Sequence, residues 1–204
     1  MDKVRMIDVR ESILSDNRNL AAEIRAQLKE NRIFMLNLMA SPGAGKTSLI
    51  IETLRRLKQR YRFAVIEGDI ESQVDADRVA AENVPAVQLR TGGACHLDAP
   101  MIGEALAGLE LALFDVLIIE NIGNLVCPAE ALKYPLMFSV CDALVISKVD
   151  YLGSSDFDMS LLEERVHRLN PAMKIFQTSS KTGEGLDQWC DWLDDEINKV
   201  KQSS

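Results

Sequence analysis

The sequence predicts an α/β domain, doubly wound around a mostly parallel sheet. Three observations predict it. Short apolar runs alternate with amphipathic helical stretches from residue 32 onward. Those runs are apolar at nearly every position rather than at every second one, the mark of strands buried on both faces. The chemically distinctive residues gather just after the runs, at the carboxyl ends where such sheets place their ligands.

Taken in order, residues Asn19 to Asn31 carry Leu20, Ile24 and Leu28 at fourfold spacing between charges, which predicts an amphipathic helix. It packs on the main domain or serves as an arm for a partner. Ile33 to Met39 is the first strand candidate, followed by a helix from Lys46 to Gln59. Phe63 to Glu67 and Ala86 to Leu89 are strands flanking a helix from Val74 to Glu82, and a further helix is expected from Pro100 to Leu111. Val116 to Glu120, Ala143 to Ser147 and Lys174 to Thr178 complete the strands, with a helix from Leu161 to Leu169 before the last of them. The closing helix, Leu186 to Val200, shows Leu186, Trp189, Leu193 and Ile197 on one face. Repeated strand and helix alternation implies right-handed crossovers. Two regions follow, an N-terminal segment over residues 1–31 and the sheet domain over residues 32–204.

The composition supports a compact soluble chain: 47% of the 204 residues are hydrophobic and 26% charged. A net charge of -8 argues against a nucleic-acid partner, which needs clustered Lys and Arg to displace counterions. No run approaches the roughly 18 uncharged apolar residues that span a bilayer, and Met1-Asp2-Lys3-Val4-Arg5 leads into no apolar signal core. A cytoplasmic location without membrane contact is expected. Four cysteines without a regular framework then favour thiols or metal ligands over disulfides. Cys141 and Cys190 lie in apolar or amphipathic contexts and are expected in the core, whereas His167 falls on a charged helix and is expected at the surface.

Ala40-Ser41-Pro42-Gly43-Ala44-Gly45-Lys46-Thr47-Ser48 follows the first strand and opens a helix, the context of a phosphate-binding loop. Backbone N–H groups at Gly43, Ala44 and Gly45 would cradle phosphate oxygens, Lys46 would reach the β and γ phosphates, and Thr47 would hold Mg2+. The strict pattern begins with Gly where Ala40 stands. Further on, Ser147-Lys148-Val149-Asp150 resembles the guanine-reading Asn-Lys-x-Asp, with Ser in the first place. Asp150 would accept hydrogen bonds from the guanine N1 and N2 edge, which adenine lacks, while the Lys148 stem packs over the base. Ser179-Ser180-Lys181, after the next strand, resembles the loop whose backbone N–H meets guanine O6. GTP is therefore the expected nucleotide.

Glu120-Asn121-Ile122-Gly123 resembles the Asp-x-x-Gly switch, which makes Glu120 the candidate acid for Mg2+. Upstream, Asp69 or Asp75 is expected to approach Mg2+ or orient the attacking water, a solvated acidic helix start being the alternative. Cys95-His96 precedes one helix and Cys127 follows the Glu120 strand, so two strand ends can bring three soft ligands together. Such a set suits Ni2+ or Zn2+ and leaves an open position, with Asp98 as an acceptor behind His96.

Cys95-His96-Leu97-Asp98-Ala99 together with the run from Glu120 to Ala129 resembles HypB, a family of SIMIBI-class P-loop GTPases, and the similarity covers nearly the whole chain from about Arg10, including Lys133-Tyr134-Pro135-Leu136-Met137-Phe138. The resemblance implies a P-loop NTPase fold and GTP hydrolysis coupled to nickel insertion into a NiFe-hydrogenase. It also implies a GTP-dependent homodimer, a HypA-type nickel chaperone as partner, and the hydrogenase large subunit as indirect recipient. It maps the nucleotide-linked metal site onto Cys95, His96 and Cys127.

Three departures stand out. Neither a Cys-rich nor a His-rich leader is present in this sequence. Ser147 replaces the guanine-loop Asn. Between the Cys127-Pro128-Ala129 switch and Lys133-Tyr134-Pro135 the family has another strand and an acidic turn, whereas only Glu130-Ala131-Leu132 lie here, which leaves a sheet one strand shorter. Other readings are a urease-type nickel GTPase, whose Cys-Pro-His signature Cys95-His96-Leu97 does not match, a nucleotide-binding metal buffer or sensor without efficient turnover, and an ATP-dependent small-molecule kinase, which would have no use for Asp150.

Overall fold

The computed structural model describes residues 9–69, 74–90, 96–121, 138–154 and 157–202. In chain order these form α1 (Val9–Glu30), β1 (Phe34–Leu38), α2 (Lys46–Leu57), β2 (Phe63–Asp69), α3 (Val74–Ala80), β3 (Ala86–Arg90), α4 (Ala99–Ala107), β4 (Val116–Glu120), β5 (Ala143–Ile146), α5 (Met159–Leu169), β6 (Lys174–Gln177) and α6 (Leu186–Gln202), with short 3-10 turns at Leu111–Leu113 and Val149–Ser154. All six expected strands are present.

Alternation along β2 and β4 explains why both strands are apolar throughout. Phe63, Val65, Val116 and Ile118 face a core built with α2 and α6, through Leu54, Leu186, Trp189, Leu193 and Ile197. Ala64, Ile66, Leu117 and Ile119 face a second core with α1 and α4, through Ile24, Leu28 and Leu106. A side chain on either face therefore meets a helix, and a polar residue there would lose water without gaining a partner. Trp189 is 2% exposed, and its indole N–H donates to the Thr53 hydroxyl at 2.9 Å.

The expected doubly wound sheet is parallel throughout, yet among the described residues it is divided. Strands β3, β2, β4 and β1 form one sheet in that spatial order, and β5 and β6 form a second. Burial follows the division. Every residue of β4 is buried, whereas β5 is only half-buried along its length, as is β1 except for exposed Asn37.

Several boundaries differ from the sequence expectation for local reasons. α1 begins ten residues before Asn19, and the polar stretch at Asp16-Asn17-Arg18 stays helical while Asn17 Oδ1 accepts the Ala99 N–H at 2.9 Å, tying α1 to the start of α4. With Ile24 and Leu28 buried at 5% and 4%, α1 is packed on the domain. α4 stops at Ala107 rather than Leu111, with Gly108 as its C-cap, donating its N–H to the Ala105 and Leu106 carbonyls. Cys190 is in the core as expected, and burial pushes its thiol up to about 11. Cys141 is not a core residue; it is half-buried at the edge of β5. His167 is exposed on α5.

Candidate functional site

Three loops meet beyond the carboxyl ends of the strands. The first joins β1 to α2 and contains the glycines at 43 and 45, with φ of +73° and +95°. These left-handed turns point successive backbone N–H groups to one side, at the positive end of α2. Ala40 is not among the residues with positive φ, so the substitution of Gly at that position needs no unusual backbone. Its carbonyl instead accepts from Lys46 Nζ at 3.4 Å.

The second loop follows β5. Ser147 Oγ donates to the Ala44 carbonyl at 2.5 Å and Lys148 Nζ donates to the Gly43 carbonyl at 2.6 Å, so both residues bind this loop to the phosphate loop. The hydroxyl of Ser147 thus supplies an inter-loop bond despite the missing amide. Lys148 has φ of +60°, an uncommon setting for a long side chain.

The third loop follows β6. Ser179 is fully buried; its Oγ donates to Asp150 Oδ1 at 2.6 Å while accepting the backbone N–H of Lys181 and Thr182, each at 3.2 Å. Lys181 Nζ lies 3.9 Å from Asp150 Oδ2. The carboxylate of Asp150 is thereby oriented by the neighbouring loop. Gly185 closes the turn at φ +68°, where a Cβ would sit 1.8 Å from the Gln177 carbonyl oxygen. Gly45, Ser48, Lys148, Asp150, Ser180 and Lys181 all line one open cavity of about 650 Å3.

At the start of α2, Thr47 Oγ1 donates to Glu120 Oε1 at 3.0 Å, both side chains being buried. Thr47 and Glu120, two of the three residues expected from the sequence to hold Mg2+ with Asp69, are thus in contact, and a further acidic side chain lies nearby. Glu67 is 2% exposed and lies in register with Glu120 on the adjacent parallel strand. A cation beside two buried carboxylates on adjacent strands would stabilise both. The hydroxyl and carboxylate oxygens are the hard donor set that suits Mg2+. A charged residue ending an apolar strand was the available signal for Glu67. Asp69 ends β2 two residues past Glu67, and Asp75 lies in the first turn of α3; both are described by backbone alone.

Cys95 and Cys127 lie outside the described residues, as does Gly123. Among the described residues no group of three His, Cys, Asp or Glu side chains is disposed to hold a metal ion. What is described is the scaffold around them. His96 is exposed, and the next residue, Leu97, is buried with its N–H donating to Asn121 Oδ1 at 2.9 Å. Asn121 in turn donates to Asn37 Oδ1 at 3.2 Å. Gly68 makes this approach possible, since a Cβ there would fall 2.8 Å from Leu97 Cδ1. The residue after His96 is therefore clamped to the residue after Glu120. Asp98, expected as an acceptor behind His96, uses Oδ1 to cap α4 by accepting the Met101 N–H at 3.0 Å.

The profile of the CobW/HypB/UreG nucleotide-binding domain matches residues 34–135. The chain is 40% identical to the hydrogenase maturation factor HypB of Azotobacter vinelandii, over 95% of this chain and 71% of that protein. The chain belongs to the HypB family of hydrogenase maturation factors. It is also 40% identical to HypB of Escherichia coli K12, over 95% of this chain and 74% of that one. The crystal structure of HypB from Helicobacter pylori in complex with nickel superposes with a TM-score of 0.82 at 37% identity, covering 93% of this chain and 98% of that one. HypB from Archaeoglobus fulgidus gives 0.80 at 32%, covering 90% and 99%.

The Azotobacter vinelandii match extends over 214 positions, whereas 95% of 204 residues is about 194, which leaves about 20 positions without a residue of this chain. Like its HypB relatives the chain has the nucleotide-binding domain, on a parallel α/β fold. No helix among the described residues is long and apolar enough to cross a membrane.

Proposed function

We propose that the chain binds GTP across the three loops, hydrolyses it to GDP and phosphate, and couples that turnover to nickel insertion into a NiFe-hydrogenase in the cytoplasm. The observation that carries this reading is the convergence of Asp150, oriented by Ser179, with the phosphate loop on one cavity. Phosphoryl transfer leaves a protein little covalent work and much positioning and charge stabilisation. The N–H groups of Gly43, Ala44 and Gly45 hold the phosphates, and Lys46 leaves the Ala40 carbonyl to neutralise charge on the β and γ oxygens. Thr47, Glu120 and Glu67 would hold Mg2+, which when bound offsets negative charge on the phosphates. Asp69 or Asp75 orients water for attack on the γ phosphorus; the bond to the β,γ-bridging oxygen breaks and GDP leaves. Asp150 accepts from guanine N1 and N2, the Lys148 stem covers the base, and the backbone at Ser180 and Lys181 faces O6.

Nickel is the cargo in this reading, held by Cys95, His96 and Cys127, with Zn2+ able to take the same ligands. The clamp between Leu97 and Asn121 supports it, because it ties the residue after His96 to the residue after Glu120. Movement of the switch with the γ-phosphate would then shift Cys127 and alter metal affinity, and metal must alter GTP affinity by the same factor. A GTP-dependent homodimer, a HypA-type chaperone and the hydrogenase large subunit are the partners proposed. Delivery to urease is a second reading, favoured by the relative from Helicobacter pylori J99, 37% identical and named a hydrogenase/urease maturation factor. Binding without turnover is a third, favoured by the divided sheet.

Phosphate release from GTP and ATP, with and without Ni2+, tests the proposal in the wild type, Lys46→Ala and Asp150→Asn. GTP turnover is expected in the wild type and lost in Lys46→Ala. Asp150→Asn turns one acceptor into a donor facing guanine's own donors and should weaken GTP by about 1 to 3 kcal/mol. Equal use of ATP and GTP would overturn the guanine reading. Absence of turnover together with tight GTP binding would leave the buffer or sensor. Metal titration with GDP and with a non-hydrolysable GTP analogue, in wild type and Cys127→Ala, tests the coupling; identical affinities throughout would sink it.

A further inference from the structure

The division of the sheet leaves one edge of β1 and one edge of β5 that no described strand takes. Phe34 N–H donates to the Asp115 carbonyl and the Leu38 carbonyl accepts from Asn121, so Phe34, Leu36 and Leu38 turn their main-chain groups toward β4. Strand alternation then turns those of Met35 and Asn37 the other way. On β5, the carbonyls of Asp142 and Ile146 accept from Lys174 and Thr178, so the main-chain groups of Ala143 and Val145 face away from β6. Both strands run toward the nucleotide loops. At that end Ser147 and Lys148 reach across to Ala44 and Gly43, which holds the two edges in one assembly. Among the described residues no strand pairs with either edge. The roughly 20 positions by which this chain falls short of its HypB relative are enough for a strand and its connections.

We propose that the slot between β1 and β5 is a docking site for an extended segment of another protein, which adds as a strand hydrogen-bonded to both edges. The chemistry of the occupant follows from the walls. Phe34, Leu36, Leu38, Ala143 and Val145 all lie against the core under α2 and α6, so every second side chain of the incoming strand must be apolar and β-branched residues fit best. On the opposite face Met35 packs against the second core while Asn37 is exposed and Leu144 and Ile146 are half-buried, so the intervening side chains can be polar toward the Asn37 end. The walls are five and four residues long, which sets the length of the paired segment. A net charge of -8 favours cationic flanks. Main-chain bonds would supply affinity and the alternate apolar contacts specificity, as in other strand additions.

The test uses the full chain without nucleotide, so its outcome does not depend on the GTP reading. The probe is a synthetic peptide of three Val alternating with two Thr, flanked on each side by two Lys, with a control carrying Pro at the central position. Amide exchange is followed by NMR at Met35, Asn37, Ala143 and Val145. Without peptide these amides are expected to exchange at least about 10-fold faster than those of β2 and β4. Saturating peptide should slow them at least about 10-fold and raise Tm, while the Pro control, which cannot complete the ladder, should do neither. The proposal is overturned if the four amides are already protected in the monomer, which would make the chain its own occupant. Protection that appears only as the protein dimerises would assign the slot to a second copy. No change with the probe would also overturn it.

Discussion

Two glycines of nearly equal φ, Gly185 at +68° and Gly43 at +73°, should respond very differently to alanine. At either site a side chain in the left-handed region costs about 1 to 2 kcal/mol. Around Gly43 nothing lies within 4 Å of the new Cβ, so that cost is the whole effect on stability. At Gly185 the Cβ would sit 1.8 Å from the Gln177 carbonyl oxygen and 3.0 Å from its carbon, both backbone atoms at the end of β6. They cannot swing aside as a side chain would, and forced repacking of this kind adds about 1 to 3 kcal/mol. Gly185→Ala should therefore lose about 3 kcal/mol, or about 6 to 12 °C in Tm for a chain of this size. Gly43→Ala, at about 1.5 kcal/mol, should lose about 3 to 6 °C. Nucleotide binding should invert the order, because the Gly43 N–H belongs to the phosphate loop itself. Urea denaturation and calorimetry on the nucleotide-free proteins give the first comparison, and GTP titration the second. Equal destabilisation by the two substitutions would refute the reasoning, since it would mean that the close approach to Gln177 contributes nothing.

Two further outcomes rest on buried polar contacts. Thr53→Val removes the acceptor of the Trp189 indole N–H in a site 1% exposed, and should cost about 1 to 3 kcal/mol, whereas Thr53→Ser should cost less; tryptophan fluorescence during urea unfolding distinguishes them. Asp115 is held well below the usual carboxylate range by the Arg62 guanidinium and backbone, with Lys201 2.9 Å from Oδ1. Because its folded value lies below its ordinary 3.8, its contribution is complete above that pH and is lost as pH falls toward the folded value. Asp115→Asn should thus cost about 1 to 2 kcal/mol at pH 7, discounted because the Arg62 side chain is 58% exposed, and the gap to wild type should close below about pH 4. A gap that is constant from pH 7 to pH 3 would exclude the ionic origin.

Much of the fold was legible because strands buried on two faces and helices buried on one leave different periodicities. Val116 to Glu120 reads as a strand from composition alone, and the spacing of Leu186, Trp189, Leu193 and Ile197 already defines the buried face of α6. The phosphate loop was legible because Gly-Lys-Thr after a strand is a local chemical pattern. Asp98 illustrates the opposite case: its type suits a metal acceptor and a helix cap equally, and only the Met101 N–H beside it decides.

The sequence by itself determined the fold class, the family, and the loops proposed to hold a nucleotide, since each of these is written in residues adjacent along the chain. The tertiary structure alone decided that Glu67 stands beside Glu120, that Asn121 holds Leu97 across Gly68, and that β1 and β5 share no ladder. Those relations depend on the register between strands far apart in sequence, and register follows from how all the layers pack together rather than from any one segment.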